Sequence, residues 1–170
     1  MAVECRSYSK LAGFTGLRCG YAVVPRGVKA GTKDGKGAPL RDLWLRRQTT
    51  KYNGCPYIVQ RAAEAVHSPE GKRETQALVG KYLANTRMIR EAFLGMGLEV
   101  FGGVDAPYVW LRLPGGDSWR FFDRLLEQAN IVGTPGAGFG PSGEGYFRLT
   151  GFGNPADTAE AVERLKGFRL

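Results

Sequence analysis

The sequence predicts a mixed α/β chain, in which a long helix leads into a small α+β layer. Three observations carry this reading. A glycine-spaced turn and a short apolar run, Val23-Val24-Pro25, occupy the first twenty-five residues. An apolar stripe at helical spacing runs from Leu78 to Met96. After Leu98, β-type runs alternate with amphipathic helical stretches.

In chain order, Met1 to Arg6 reads as the strand entering the turn, and Val23 to Pro25 as a short buried strand and its end. Arg26 to Pro39 is rich in Gly, Lys and Asp, without apolar periodicity, and reads as an exposed loop. Leu40 to Thr50 is helical by the spacing of Leu40, Leu43 and Trp44. Asn53-Gly54 signals a turn, and Pro56 suits the start of a helix through Val59, Ala63 and Val66. Ser68-Pro69-Glu70 opens the long helix with a cap, a proline at the first position and an acid in the first turn. Gly97 is its stop. Leu98–Phe101 and Tyr108–Leu113 are strands split at Gly102-Gly103. Ser118 to Ala129 is an amphipathic helix carrying Trp119, Phe122, Leu125 and Leu126. Tyr146 to Thr150 is a strand, and Asn154-Pro155 caps a last helix.

A chain of 170 residues holds one domain, or one domain and a piece of another. Its 43% hydrophobic and 24% charged residues fit a soluble globular protein. No apolar run reaches membrane-spanning length, and no secretory signal is evident. The net charge of +8 raises nucleic acid as a partner, but Lys and Arg are spread along the chain rather than gathered with aromatics. The excess reads instead as a positive field around an anion site; neither nucleic acid nor membrane is expected. Cys5, Cys19 and Cys55 share no tight spacing, so neither a disulfide framework nor a zinc site is indicated; they read as buried fillers in a reducing compartment. The single histidine, His67, excludes a multi-histidine metal site within this chain and reads as structural.

The chemistry concentrates in Ser7-Tyr8-Ser9-Lys10-Leu11-Ala12-Gly13-Phe14-Thr15-Gly16-Leu17-Arg18. A lysine between small hydroxyls, with an arginine eight residues on, suits an aldehyde cofactor that bears a phosphate. Lys10 can form a Schiff base with the aldehyde. Ser7, Ser9 and Arg18 can hold the phosphate, the arginine by its planar fork. Gly13 and Gly16 let the backbone turn tightly. Far along the chain, Arg148 alternates with Phe147 and Leu149 beside a glycine-rich passage, Gly133 to Gly145. It can therefore present a fork to a carboxylate from the face opposite its neighbours.

These stretches resemble the fold-type I, pyridoxal-phosphate-dependent aminotransferases. Within them, the lysine motif and Arg47-Gln48-Thr49-Thr50-Lys51-Tyr52-Asn53-Gly54 are most similar to the LL-diaminopimelate branch. The resemblance covers essentially the whole chain and implies the C-terminal portion of that fold: the end of the large domain over 1–68, then a linking helix and small domain over 69–170. It implies pyridoxal 5'-phosphate as cofactor, and amino-acid and 2-oxo-acid substrates. Lys10 becomes the catalytic lysine, Ser7, Ser9 and Arg18 the phosphate ligands, and Arg148 the binder of the substrate α-carboxylate. Asn53 reaches the cofactor phosphate of the neighbouring subunit in a homodimer. The implied reaction moves an amino group from LL-diaminopimelate to 2-oxoglutarate in lysine biosynthesis, in the cytoplasm, or in the plastid stroma of a photosynthetic eukaryote. The family's phosphate-binding helix, pyridinium aspartate and ring-stacking aromatic have no counterpart before the lysine motif here, so the isolated chain is expected to be inactive. Two other readings stay open: an aminotransferase of the same class acting on aspartate, alanine or aromatic amino acids, and a non-catalytic remnant or interaction module.

Overall fold

The computed structural model describes residues 2–170; Met1, at the head of the run read as entering the lysine motif, lies outside the described residues. The chain divides into two compact units, one ending at Gln76 and the other covering Ala77–Leu170.

In the first unit, strands β1 (Glu4–Ser7) and β2 (Gly20–Val23) form an antiparallel ladder, with Ser7 opposite Gly20. The buried strand expected at Val23 is not found: Val23 is 44% exposed, and the other residues of β2 are exposed as well. A two-stranded ladder pairs one edge of each strand and buries little side-chain surface. Lys10 is not on a strand either. β1 stops at Ser7, which caps the one-turn helix α1 (Tyr8–Leu11) by accepting from the Ser9 N–H. The expected loop at 26–39 contains a small hairpin, β3 (Lys29–Ala30) paired with β4 (Ala38–Pro39). Its connection is tightened by Thr32 Oγ1, which donates to Asp34 at 2.5 Å and accepts from the Gly37 N–H at 2.9 Å.

Helix α2 (Leu40–Lys51) follows, with no buried residue. Helix α3 (Tyr57–Val66) starts immediately after Pro56 and buries Val59, Ala63 and Val66. Those three pack with Tyr8 and Cys19 into a small core. Tyr8 is the pivot: its hydroxyl lies 2.6 Å from His67 Nε2, and its ring contacts those of Phe14 and Tyr21. The structural role expected of His67 rests on this contact.

Helix α4 (Pro69–Gly95) begins in the first unit, where Ser68 Oγ accepts from the Gly71 N–H, and continues into the second. Beyond it, Gly97 takes a left-handed φ of 84°, the expected stop. The second unit carries the main sheet. Strands β5 (Glu99–Gly102) and β6 (Tyr108–Arg112), the short β7 (Thr134–Pro135) and β8 (Tyr146–Thr150) lie in the order β5-β6-β8-β7, all antiparallel.

Period-two alternation sorts this sheet into two faces. Val100, Val109, Leu111, Phe147 and Leu149 point into the core with Ile89 and Phe93 of α4. Helix α5 (Ser118–Ala129) closes that core with Phe121, Leu125 and Ala129. Of the apolar residues expected along α5, Leu125 is in the core and Phe122 packs against it, but Trp119 is 58% exposed, while Phe121 sets its ring 4.9 Å from that of Phe147. Helix α6 (Pro155–Arg164), capped by the Asn154 side chain, and the turn at Leu165–Gly167 complete the unit. Buried Asn85 of α4 donates to the carbonyls of Gly151 and Gly153, fixing the chain as it leaves β8. Among the described residues, no helix is long and apolar enough to cross a membrane.

Candidate active site

The segment from Tyr8 to Cys19 is a closed loop. The Tyr8 N–H donates to the Cys19 carbonyl at 3.1 Å, joining its two ends. Inside, the Ala12 and Phe14 N–H groups both donate to the Tyr8 carbonyl, and the Leu17 and Arg18 N–H groups to that of Phe14. Gly13 turns the chain at φ 72°, as expected, but Gly16 does not supply the second left-handed residue. Arg18 takes that conformation itself, at φ 56°. Non-glycine residues rarely do so, at a cost of order 1–3 kcal/mol, so the surrounding bonds must hold it there.

Thr15 is the centre of this loop, and sequence reasoning gave it no role. Its hydroxyl donates to the Ser9 carbonyl at 3.0 Å, and its Oγ1 accepts from Lys10 Nζ at 3.4 Å. Its carbonyl accepts from the Arg18 guanidinium at 2.7 Å. One residue therefore orders Ser9, Lys10 and Arg18, and a hydroxyl five positions beyond the lysine was the only sequence signal for it. Lys10 and Arg18 are both exposed, while Ser9 is half-buried. Ser7 Oγ accepts from the Ser9 N–H and keeps its own O–H as a donor.

Asn53 lies in the coil between α2 and α3, exposed, before Gly54 at φ 97°. Its neighbours Tyr52 and Gly54 line an open cleft of about 590 Å³ together with Arg18, Cys19, Tyr21 and Gln48. The arginine and the asparagine segment thus share one cleft within the first unit.

Arg148 belongs to the second unit, on the sheet face opposite the core. It stands opposite Trp110 on β6 and Thr134 on β7. Its guanidinium carbon is 4.5 Å from the Phe139 ring centroid and 5.3 Å from that of Tyr108. Arg148 Nε is buried and has no hydrogen-bond partner among the described residues. A buried guanidinium N–H without an acceptor is costly and fits an anionic ligand.

The glycine-rich passage beside it is ordered. Its two one-turn 3-10 helices, Gly136–Phe139 and Pro141–Gly143, pack backbone to backbone. A Cβ at Gly136 would sit 1.9 Å from the Gly143 carbonyl oxygen, so no larger residue fits. The Glu144 carboxylate then accepts from the Ser118 N–H at 2.8 Å and from the Ser118 hydroxyl at 3.2 Å. Those bonds, the Ser118 N–H foremost, hold its carboxyl below the usual carboxylate range. Phe139, which stacks on Arg148, is presented by this anchored passage.

The match to the family model described as aminotransferase class I and II extends over residues 2–165, and the chain belongs to that family. It is 54% identical over 171 residues to an LL-diaminopimelate aminotransferase of Phocaeicola vulgatus, covering 100% of this chain and 42% of the relative. It is 57% identical over 166 residues to one from Bacteroides fragilis, covering 97% and 40%. Among solved structures, the L,L-diaminopimelate aminotransferase of Chlamydomonas reinhardtii superposes with a TM-score of 0.88 at 44% identity, over 98% of this chain and 40% of that one. The chain spans about two-fifths of the length of these relatives. The α/β portion of the fold-type I aminotransferase fold expected from the sequence is the fold found.

Proposed function

We propose that this chain carries the lysine loop and the carboxylate-binding arginine of an enzyme that moves an amino group from LL-diaminopimelate to 2-oxoglutarate, giving tetrahydrodipicolinate and glutamate. The observation that carries the reading is the Thr15-centred loop, which sets Lys10 and Arg18 around one residue. The relatives' shared name favours diaminopimelate over the aspartate, alanine and aromatic alternatives.

The residues fit pyridoxal 5'-phosphate. When bound, that group supplies an aldehyde to take up the amino group and a ring to accept the electron pair left at the substrate α-carbon. Ser7, Ser9 and Arg18 hold its phosphate: the hydroxyls donate, and the guanidinium adds charge. Lys10 Nζ would hold the aldehyde end of that group and, as a free amine, would accept the proton from the substrate α-carbon and return it. Thr15 Oγ1 orients that amine. Arg148 clamps the substrate α-carboxylate, satisfying its buried Nε–H. Asn53 serves the cofactor phosphate of a second copy across a homodimer interface. The division at 68/69 into large-domain and small-domain portions belongs to the same reading, as does a cytoplasmic setting, which the bacterial relatives support.

The test is glutamate formation from LL-diaminopimelate and 2-oxoglutarate by the purified 170-residue polypeptide. It is assayed alone and after mixing with the remaining portion of the Phocaeicola vulgatus relative. Turnover that appears on mixing, and is lost with Lys10→Ala, supports the reading. No turnover in any mixture, with both parts folded, favours a non-catalytic remnant.

A further inference from the structure

Two of the three cysteines, thirty-six positions apart in sequence, meet in the folded first unit: Cys19 Sγ and Cys55 Sγ are 3.8 Å apart. We propose that Cys19 and Cys55 are a thiol-redox modification site, closing reversibly into an intramolecular disulfide. The approach is built into the fold. The Cys19 carbonyl is held by the Tyr8 N–H at the closure of the lysine loop, and the Cys55 carbonyl by Gln60 Nε2 at 2.7 Å. Both cysteines line the cleft that holds Arg18.

Their exposures differ, and that sets the order of events. Cys55 is half-buried, whereas Cys19 is buried, and burial pushes its thiol up. Cys55 therefore meets a small-molecule disulfide such as oxidised glutathione first. Its thiolate attacks one sulfur of that disulfide, the S–S bond breaks, and one glutathione thiolate leaves. The Cys19 thiolate then attacks Cys55 Sγ in the mixed disulfide and expels the second glutathione thiolate. Two protein thiols are oxidised, one glutathione disulfide is reduced to two thiols, and the two protons pass from the protein to them. The sulfurs need close by less than 2 Å, which the coil before α3 can supply. The bond joins the residue after Arg18 to the residue two beyond Asn53, so oxidation bears on both sides of the cleft. Cys5, exposed on β1, has no such partner among the described cysteines and serves as an internal control.

The experiment incubates the purified chain in buffers of graded reduced-to-oxidised glutathione ratio, quenches with acid, alkylates and maps peptides. The expected result is a Cys19–Cys55 linked peptide that dithiothreitol reverses, with Cys5 never in the link. Cys55→Ser abolishes the link. Cys19→Ser leaves glutathione on Cys55 for about tenfold longer than in the wild type, because the resolving thiol is gone. The proposal is overturned if the wild-type chain shows no Cys19–Cys55 link in fully oxidised buffer. It is overturned equally if Cys5 is disulfide-linked to Cys19 or Cys55 as readily as those two are linked to each other.

Discussion

Arg148 stacks on Phe139, the guanidinium carbon 4.5 Å from the ring centroid, and these two residues come from different parts of the second unit's architecture. The arginine is fixed by strand pairing on β8, and the phenylalanine by a 3-10 turn that only glycines allow. The ring orients the fork without accepting its Nε–H, and so leaves that donor for a carboxylate.

Phe139→Ala is therefore expected to weaken amino-acid binding in the assembled enzyme by about 1 kcal/mol, roughly fivefold, with pyridoxal phosphate affinity unchanged. Arg148→Lys should cost far more, since a point charge replaces the directed fork. Titration of each ligand separately checks both. Loss of pyridoxal phosphate in Arg148→Lys with amino-acid affinity retained would move the arginine to the phosphate site.

Thr15→Val removes the hydroxyl that bridges the Ser9 carbonyl and Lys10. The expected outcome is about a tenfold fall in turnover of the assembled enzyme, corresponding to ~1.4 kcal/mol for a lost hydrogen bond, with restoration by Thr15→Ser. Equal activity in the valine and serine variants would remove Thr15 from the account.

Glu144 gives a pH dependence with a definite sign. Its folded-state carboxyl titrates below the ordinary value near 4.5, chiefly because the Ser118 N–H donates to the carboxylate. The unfolded chain thus takes up the proton at higher pH than the folded one. The stabilisation is complete above the ordinary value and is lost as pH falls through the folded value. The wild type should melt higher than Glu144→Gln near neutral pH, and the gap should narrow as pH falls below about 4. A gap independent of pH would contradict the assignment.

Asn85→Ala removes two donated bonds to the Gly151 and Gly153 carbonyls in a buried setting. A loss of roughly 2 kcal/mol is expected in urea unfolding of the chain, with the denaturant slope unchanged. A loss within about 0.5 kcal/mol would show that the segment after β8 is held by other contacts.

Much of the second unit was legible in the sequence. Ser118–Ala129 and Tyr146–Thr150 stand at the expected bounds, because a cap and period-two alternation are local signals. The choice of Phe121 over Trp119 as the core-facing aromatic of α5 was not, since the two are equally apolar and only packing against Phe147 separates them. The first unit was harder. Nothing local says that Val23 stays exposed, that residues 29–39 pair across a turn, or that Arg18 rather than Gly16 goes left-handed. Candidate site residues were proposed from type and spacing; Thr15 and the Cys19–Cys55 approach had no such signal, because each depends on how the loop closes on itself.

The central claim is that Lys10 is the residue on which pyridoxal phosphate is held, and borohydride trapping tests it most directly. The purified chain is mixed with pyridoxal phosphate, reduced and mapped by peptide mass, beside Lys10→Ala. The account predicts that the label falls predominantly on Lys10, together with an absorbance band that the substitution removes. A label spread over the other lysines, with the same band in Lys10→Ala, would contradict it.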